Sequence, residues 1–313
     1  MRGFADLHIH SSNSDGVYPP RELAAMAKAA GITVLALTDH DTLKGLPEMK
    51  EATASAGIDF IPGVEFSARW ENRQVHILGY GIDEHNALLL ERLADVRDAR
   101  RSRLEKIIKR LHEMGMDVDV PVPEEGQRAV GRPHIARALV AQRYVRTVQE
   151  AFDLYIGEGR PAYQPQTKMT PPEAVELIHQ AGGLAVQAHP EEIGDCELAL
   201  RLLEELPYDG LEVYHPSAKE KDIEAFWLQI AQERGLLIAG GSDYHGNAGR
   251  FPEKLTEWQV HREDVRDLIS RFGFKYQVAE ICDGSYCVCR SQRFGKKSPC
   301  HRGGAPVSLR CDH

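Results

Sequence analysis

Seven short runs of apolar and β-branched residues recur along the chain, at 5–9, 33–37, 60–64, 75–79, 184–188, 211–213 and 236–239, each ending in a cluster of polar residues. Helix-like stretches lie beside most of them, at 20–30 after Tyr18-Pro19, at 171–181 and at 219–233, the last with apolar positions Ile223, Phe226, Trp227 and Ile230. Strands this apolar are buried on both faces, and their alternation with helices predicts an α/β fold with a parallel sheet covered by helices. About seven such units suit a closed or nearly closed βα barrel better than an open sheet.

The alternation breaks between residues 95 and 165. A long helix over 95–114 leads to the turn Val120-Pro121-Val122-Pro123, and Gly131-Arg132-Pro133-His134 opens another helix. The expected organisation is a discontinuous barrel from 1–94 and 166–280, a small helical insert domain at 95–165, and a tail at 281–313 that reads as a disordered extension. The tail holds Cys282, Cys287, Cys289, Cys300 and Cys311, but Cys-x-Cys without paired Cys-x-x-Cys units does not match a zinc finger. Cys196 alone lies in the body, which excludes a disulfide framework and suits a reducing compartment. With 42% hydrophobic and 27% charged residues, wholesale disorder is also excluded. No apolar stretch approaches the roughly 20 residues of a membrane helix. Asp6 and His8 stand where a signal peptide would be apolar, so a cytoplasmic protein with no membrane role is expected.

The polar clusters carry the chemistry. In Asp6-Leu7-His8-Ile9-His10, strand alternation puts His8 and His10 on one face, about 7 Å apart at the backbone, where two imidazoles can converge on one metal ion. Asp39-His40-Asp41 closes the second run, Glu65 follows the third, His76 lies in the fourth, His189 closes the fifth and Asp243-Tyr244-His245 follows the seventh. Asp15 sits in the loop after the first. The C-terminal ends of parallel barrel strands meet at one mouth, so these six imidazoles and three carboxylates predict a multinuclear metal site. Asp39 and Asp41 read either as groups that orient His40 or its neighbours, or as turn residues.

The motifs DLHIHSSNSDG, ALTDHDT, GVEFS, VHILGY, AHP and GGSDYHG resemble those of the PHP-domain phosphoesterases. GRPHIARALV, GRPAYQP and GLEVYHP resemble the subgroup with an inserted helical domain, which includes 3′,5′-nucleoside bisphosphate phosphatases and 5′-to-3′ exoribonucleases. The resemblance covers residues 1 to about 275 and implies a distorted seven-stranded βα barrel holding three divalent ions, Mn²⁺ foremost, with Fe or Zn compatible. It places one ion on His8, His10, Glu65 and Asp243, a second on Glu65 as a bridging carboxylate with His76 and His189, and a third on Asp15, His40 and His245. His8, His10, Glu65 and Asp243 would then carry catalysis, because a hydroxide held between two such ions is a nucleophile at neutral pH and the ions neutralise phosphate oxygens. One departure is His189-Pro190-Glu191-Glu192, where relatives usually continue with Gly and sometimes a basic residue, so a phosphate contact there is missing.

Cations near the mouth should hold the rest of the substrate, with Arg132 and His134 at the head of an insert helix and Arg160 before Pro161 as candidates. His215 either faces this pocket or packs beneath its rim. Residues 92–146 hold 13 Lys/Arg against 8 Asp/Glu in a chain of formal charge -9, which suggests an anionic ligand there. The basic helix with Arg97, Arg100, Arg101, Arg103, Lys106, Lys109 and Arg110 either tracks a nucleic-acid backbone or is a solvated face, having few aromatics to stack bases. The expected function is metal-dependent hydrolysis of the 3′-phosphate of nucleoside 3′,5′-bisphosphates, with 5′-phosphorylated short RNA as a further substrate and no obligate protein partner. The alternatives are a histidinol-phosphate phosphatase and a non-catalytic nucleic-acid-binding module.

Overall fold

Each apolar run forms a strand, and the helices between them bury one face against the sheet. The computed structural model describes residues 3–120, 131–165 and 169–274, together with two short strands beyond them. The order is β1 (Phe4–Asp6), α1 (Pro20–Ala29), β2 (Ile32–Leu37), α2 (Leu46–Ala56), β3 (Asp59–Trp70), β4 (Arg73–Tyr80), α3 (Ala87–Glu113), α4 (Arg132–Ala141) and α5 (Val148–Ala151). A π-helical turn, Phe152–Ile156, follows α5 directly. Then come α6 (Pro171–Gln180), β5 (Leu184–Gln187), α7 (Cys196–Glu205), β6 (Gly210–Tyr214), α8 (Pro216–Glu220), α9 (Glu224–Glu233), β7 (Leu237–Gly240), β8 (Val260–His261) and α10 (Arg266–Ser270).

The sheet runs β7-β6-β5-β4-β3-β2-β1-β8. It is mixed rather than parallel, because β4 pairs antiparallel with both β3 and β5. The reason is local: β3 and β4 are joined by Glu71 and Asn72 alone, both at positive φ (45° and 65°), which makes a tight hairpin with no room for a crossover helix. An eighth strand, β8, pairs antiparallel with β1. Beyond β1 the chain leaves β8 and meets the end of β7, with Leu7 N donating to Gly240 O at 3.2 Å, Asp243 N to His8 O at 2.8 Å and His10 N to Tyr244 O at 3.0 Å. These bonds bring the sheet almost to closure. The approach is close enough that a Cβ on Gly241 would lie 2.4 Å from His8 N, so only glycine fits there.

The barrel core gathers Ile9, Leu35, Leu37, Phe66, Ile77, Ile178, Leu202 and Trp227. A second apolar cluster joins Leu104, Ile107 and Leu111 of α3 to Ile135 and Leu139 of α4 and to Ile156 and Ala162. Helix α3 serves both: Leu89 and Leu93 belong to the barrel core, the later leucines to the second cluster. It starts at Ala87 rather than at 95, because Asn86 caps it by accepting Leu89 N at 3.0 Å. The helix expected over 219–233 is two, α8 and α9, broken at Asp222 with φ 55°. Of its apolar positions Trp227 is buried and Phe226 is exposed.

The turn expected at Pro121-Val122-Pro123 lies outside the described residues, as does almost all of 281–313. There only Ile281–Cys282 and Ser285–Tyr286 are described, paired antiparallel as a small unit of their own. Among the described residues no helix is long and apolar enough to cross a membrane.

Candidate metal centre

All nine residues picked out as metal ligands come together. His8 and His10, both fully buried, present Nε2 to the same Oε2 of Glu65, each at 3.1 Å. Asp243 Oδ1 stands 3.4 Å from the first and 3.0 Å from the second. The other oxygen of Glu65, Oε1, lies 2.7 Å from His76 Nδ1 and 3.1 Å from His189 Nε2. Asp15 Oδ1 is 3.2 Å from His245 Nε2, and its Oδ2 is 3.9 Å from His40 Nε2.

Glu65 does not close β3, as the sequence suggests, but lies within it, where β3 changes from parallel pairing with β2 to antiparallel pairing with β4. The register sets Glu65 opposite Leu78 and Ser67 opposite His76, so Glu65 and His76 share the inner face. Downstream of β2, His40 bridges to Glu65 and Asp41 N donates to Glu65 O at 2.9 Å. His10 is shared more widely than expected, since its Nδ1 also faces Asp15, at 3.9 Å. Asp41, His189 and Asp243 adopt positive φ (50°, 22° and 49°), a conformation that side-chain-bearing residues rarely hold and that here aims chain ends into the mouth.

The donor set fits divalent cations. The buried nitrogens His10 Nδ1 and Nε2, His40 Nδ1, His189 Nδ1 and His245 Nε2 have no well-directed hydrogen bond, although carboxylate oxygens stand 3.0–3.9 Å away. Buried polar atoms that face one another without bonding call for a common partner. Imidazole and carboxylate together suit Mn, Fe or Zn. Electrostatics agree: burial would push the Glu65 carboxyl up, yet the rings of His40, His8 and His76 hold it well below the usual range. For Asp243, too, burial is outweighed by His8, and the carboxyl stays ionised.

Four supporting carboxylates surround the cluster. Glu212 on β6 accepts from His8 Nδ1 at 2.9 Å with one oxygen and from His189 N at 2.8 Å with the other, so it fixes the ring that presents Nε2 to the site. It is absent from the sequence-based expectation, and its signal is an acid inside the apolar run Leu211-Glu212-Val213. Asp39 does not orient His40: it accepts from Ser11 N, Ser11 Oγ and Ser14 Oγ, each at 2.6 Å, and so holds the loop that carries Asp15. Asp41 accepts from Ser67 N at 2.9 Å and pairs with Arg100. Asp6 takes Ser242 N at 2.9 Å and its hydroxyl at 2.6 Å, and burial raises its carboxyl to about 6.

The expected substrate contacts divide. Arg132 is half-buried over the Phe152 ring at 5.4 Å and stands with Arg69, Arg100, Arg103 and Tyr163. Arg103 lies over the Tyr163 ring at 5.6 Å and donates to Gln164 O at 2.7 Å. Arg69, on β3, is not among the sequence-based candidates, and Arg103 is there only as a member of the basic helix. His134 instead turns Nδ1 back to accept Gly131 N at 3.2 Å, capping its own helix, and Arg160 lies exposed. The departure at Glu191 is absorbed locally, with the buried carboxylate 3.2 Å from His215 Nδ1 and bonded to the Ser217 hydroxyl. His215 itself is buried, with Nε2 3.7 Å from Asp243 Oδ2.

Comparison with known proteins agrees with this geometry. The family model described as the PHP domain matches residues 6–155. A 5′-3′ exoribonuclease of Haemophilus influenzae is 36% identical over 253 residues, covering 78% of this chain and 90% of that protein. A 3′,5′-nucleoside bisphosphate phosphatase of Chromobacterium violaceum is 36% identical over 257 residues, covering 78% and 89%. A solved structure of a candidate metal-dependent phosphoesterase from Bifidobacterium adolescentis superposes with a TM-score of 0.71 at 31% identity, covering 86% of this chain and 96% of that one. The chain belongs to the PHP family of metal-dependent phosphoesterases.

Proposed function

We propose that the chain removes the 3′-phosphate of nucleoside 3′,5′-bisphosphates and trims 5′-phosphorylated short RNA, using three divalent ions, Mn²⁺ foremost. The observation that carries this reading is a group of arginines joined to the metal centre. Arg100 pairs with Asp41, the neighbour of His40, and donates to Ser67 Oγ at 3.1 Å. Burial, and then the charge of Arg132, with Arg100 and Arg69 adding to it, draws the Arg103 guanidinium down to about 10. Arg69 pairs with Glu158 at 2.9 Å and Arg100 with Asp41, yet four guanidinium groups gathered beside a phosphoesterase centre still favour a second anionic group on the substrate. A nucleotide with phosphates at both ends, or an RNA chain, supplies one. The exoribonuclease and the bisphosphate phosphatase compared above act, by name, on such substrates.

Residues His8, His10, Glu65 and Asp243 would hold one ion, Glu65, His76 and His189 a second, and Asp15, His40 and His245 a third. When bound, such ions supply a nucleophile at neutral pH and stabilise charge on the phosphoryl oxygens. The chain's part is orientation. Glu212 fixes His8, Asp39 fixes the Asp15 loop, Asp41 links β3 to Arg100, and the arginine group holds the distal phosphate so that the reacting one is presented for in-line attack.

The test is phosphate release with product identification by mass spectrometry, using Mn²⁺-loaded protein on four substrates: adenosine 3′,5′-bisphosphate, AMP, histidinol phosphate and a 5′-phosphorylated short RNA. The expected products are AMP from the bisphosphate and mononucleotides released stepwise from the RNA 5′ end. Turnover of histidinol phosphate alone, or tight RNA binding without any turnover, would contradict the proposal.

A further inference from the structure

Asp243 turns one oxygen inward and the other outward. Its Oδ1 faces His10, His8 and His245 at 3.0, 3.4 and 3.6 Å. Its Oδ2 accepts from Arg250 Nη2 at 2.5 Å and lies 3.7 Å from His215 Nε2, beyond hydrogen-bond reach. The Arg250 side chain is 45% exposed, and among the described residues its ion pair with Asp243 is made through Nη2, one nitrogen of a guanidinium that carries five N–H donors. Its segment is anchored: Arg250 N donates to Asn247 O at 3.2 Å, Gly249 N to Glu253 Oε1 at 2.9 Å, and Tyr244 OH to Glu253 O at 3.4 Å.

His215 is 2% exposed and held from behind. Ser217 N donates to its Nδ1 at 3.2 Å, with Ser217 Oγ 2.7 Å away and Glu191 Oε1 3.2 Å away on the same edge. With Nδ1 accepting the Ser217 N–H, the neutral ring carries its hydrogen on Nε2, whereas a proton on Nδ1 would go to Glu191. That buried Nε2 has no hydrogen-bond partner. A partly exposed guanidinium and an imidazole with an unpartnered buried nitrogen therefore meet at the same oxygen of one carboxylate, at the edge of the metal centre. What is missing between them is an acceptor that carries negative charge.

We propose that Arg250 and His215 form an anion subsite beside the outward oxygen of Asp243 and take nonbridging oxygens of the phosphoryl group undergoing hydrolysis. The inference rests on the phosphoester reading of this centre but not on which nucleotide carries the phosphate. Arg250 has two functions: it holds Oδ2 so that Oδ1 stays turned inward, and it grips the substrate. His215 supplies the opposing wall.

The experiment measures binding of inorganic phosphate to the Mn²⁺-loaded protein by calorimetry, alongside metal content and KM and kcat for adenosine 3′,5′-bisphosphate. The proteins compared are wild type, Arg250→Ala, Arg250→Lys, His215→Ala and His215→Gln. Losing a charge-assisted hydrogen bond should weaken phosphate binding and raise KM by roughly 10- to 100-fold in Arg250→Ala. Metal content should stay at the wild-type level, and Arg250→Lys should recover part of the loss. His215→Ala is expected to weaken phosphate binding about 10-fold, with His215→Gln, which keeps a donor, nearer to wild type. Phosphate affinity within twofold of wild type in fully loaded Arg250→Ala overturns the proposal. So does loss of metal from both Arg250 variants, which would leave Arg250 as a support for Asp243 and nothing more. If the wild type hydrolyses no nucleotide, the substrate reading fails while the phosphate measurement still decides the subsite.

Discussion

At the scale of single residues, the centre depends on which nitrogen each ring presents. Glu212 sets this for His8 by accepting from Nδ1. Glu212→Ala should leave that nitrogen unpaired in a fully buried place and lower metal affinity by roughly 10- to 100-fold. Competition with a chelator checks this, and an unchanged affinity would remove Glu212 from the support of the site. Protonation gives a second prediction. Burial works against protonating His10, but Asp243 and Glu65 outweigh it and lift the metal-free ring to about 10. The folded-state pKa thus lies above the ordinary 6.5, so in the metal-free protein this ring contributes stability in full below about 6.5 and loses it as pH rises through about 10. A divalent ion needs the neutral ring, so loading must expel the proton. Mn²⁺ added to metal-free protein at about pH 7.5 is therefore expected to release protons, with apparent affinity increasing with pH. No proton release in an unbuffered titration would contradict the assignment.

At the scale of elements, α3 joins two cores. Ile107 is fully buried in the second cluster, away from the barrel's own. Ile107→Ala should cost about 2–5 kcal/mol of stability in urea unfolding. A cost under about 0.5 kcal/mol would show the cluster to be loosely packed. Arg132, at the start of α4, is proposed to act on binding instead. Arg132→Ala is expected to raise KM for bisphosphates roughly 10-fold and leave kcat nearly unchanged, since the proposed function sets it against the distal phosphate and not the reacting one. Equal effects on a monophosphate and a bisphosphate would argue against that division. The strands themselves were legible, because apolar runs of this length bounded by turn residues have few alternatives. The direction of β4 was not. It depends on the two-residue link Glu71-Asn72, whose positive φ values no hydrophobic pattern announces.

At the scale of the whole molecule, the site was more legible than the sheet that carries it. His8, His10, Asp15, His40, Glu65, His76, His189, Asp243 and His245 were readable because ligating side chains recur at strand ends and a barrel gathers those ends at one mouth. Glu212 and Arg69 were not, since each acts through a neighbour distant in sequence, Glu212 although it lies inside GLEVYHP; nor was Arg250, which pairs with Asp243 only seven residues before it but belongs to none of the motifs. His134 shows the converse, a plausible motif residue whose ring nitrogen caps its own helix.

Glu65 touches both imidazole groups with its two oxygens and is thereby proposed to unite the ions into one phosphoesterase centre. The most direct measurement records metal content and phosphate release from adenosine 3′,5′-bisphosphate on the same samples of wild type and Glu65→Ala. Wild type should hold about three ions per chain and the variant fewer, with turnover falling on the order of 10³-fold or more. Near-wild-type turnover by Glu65→Ala would contradict that proposal.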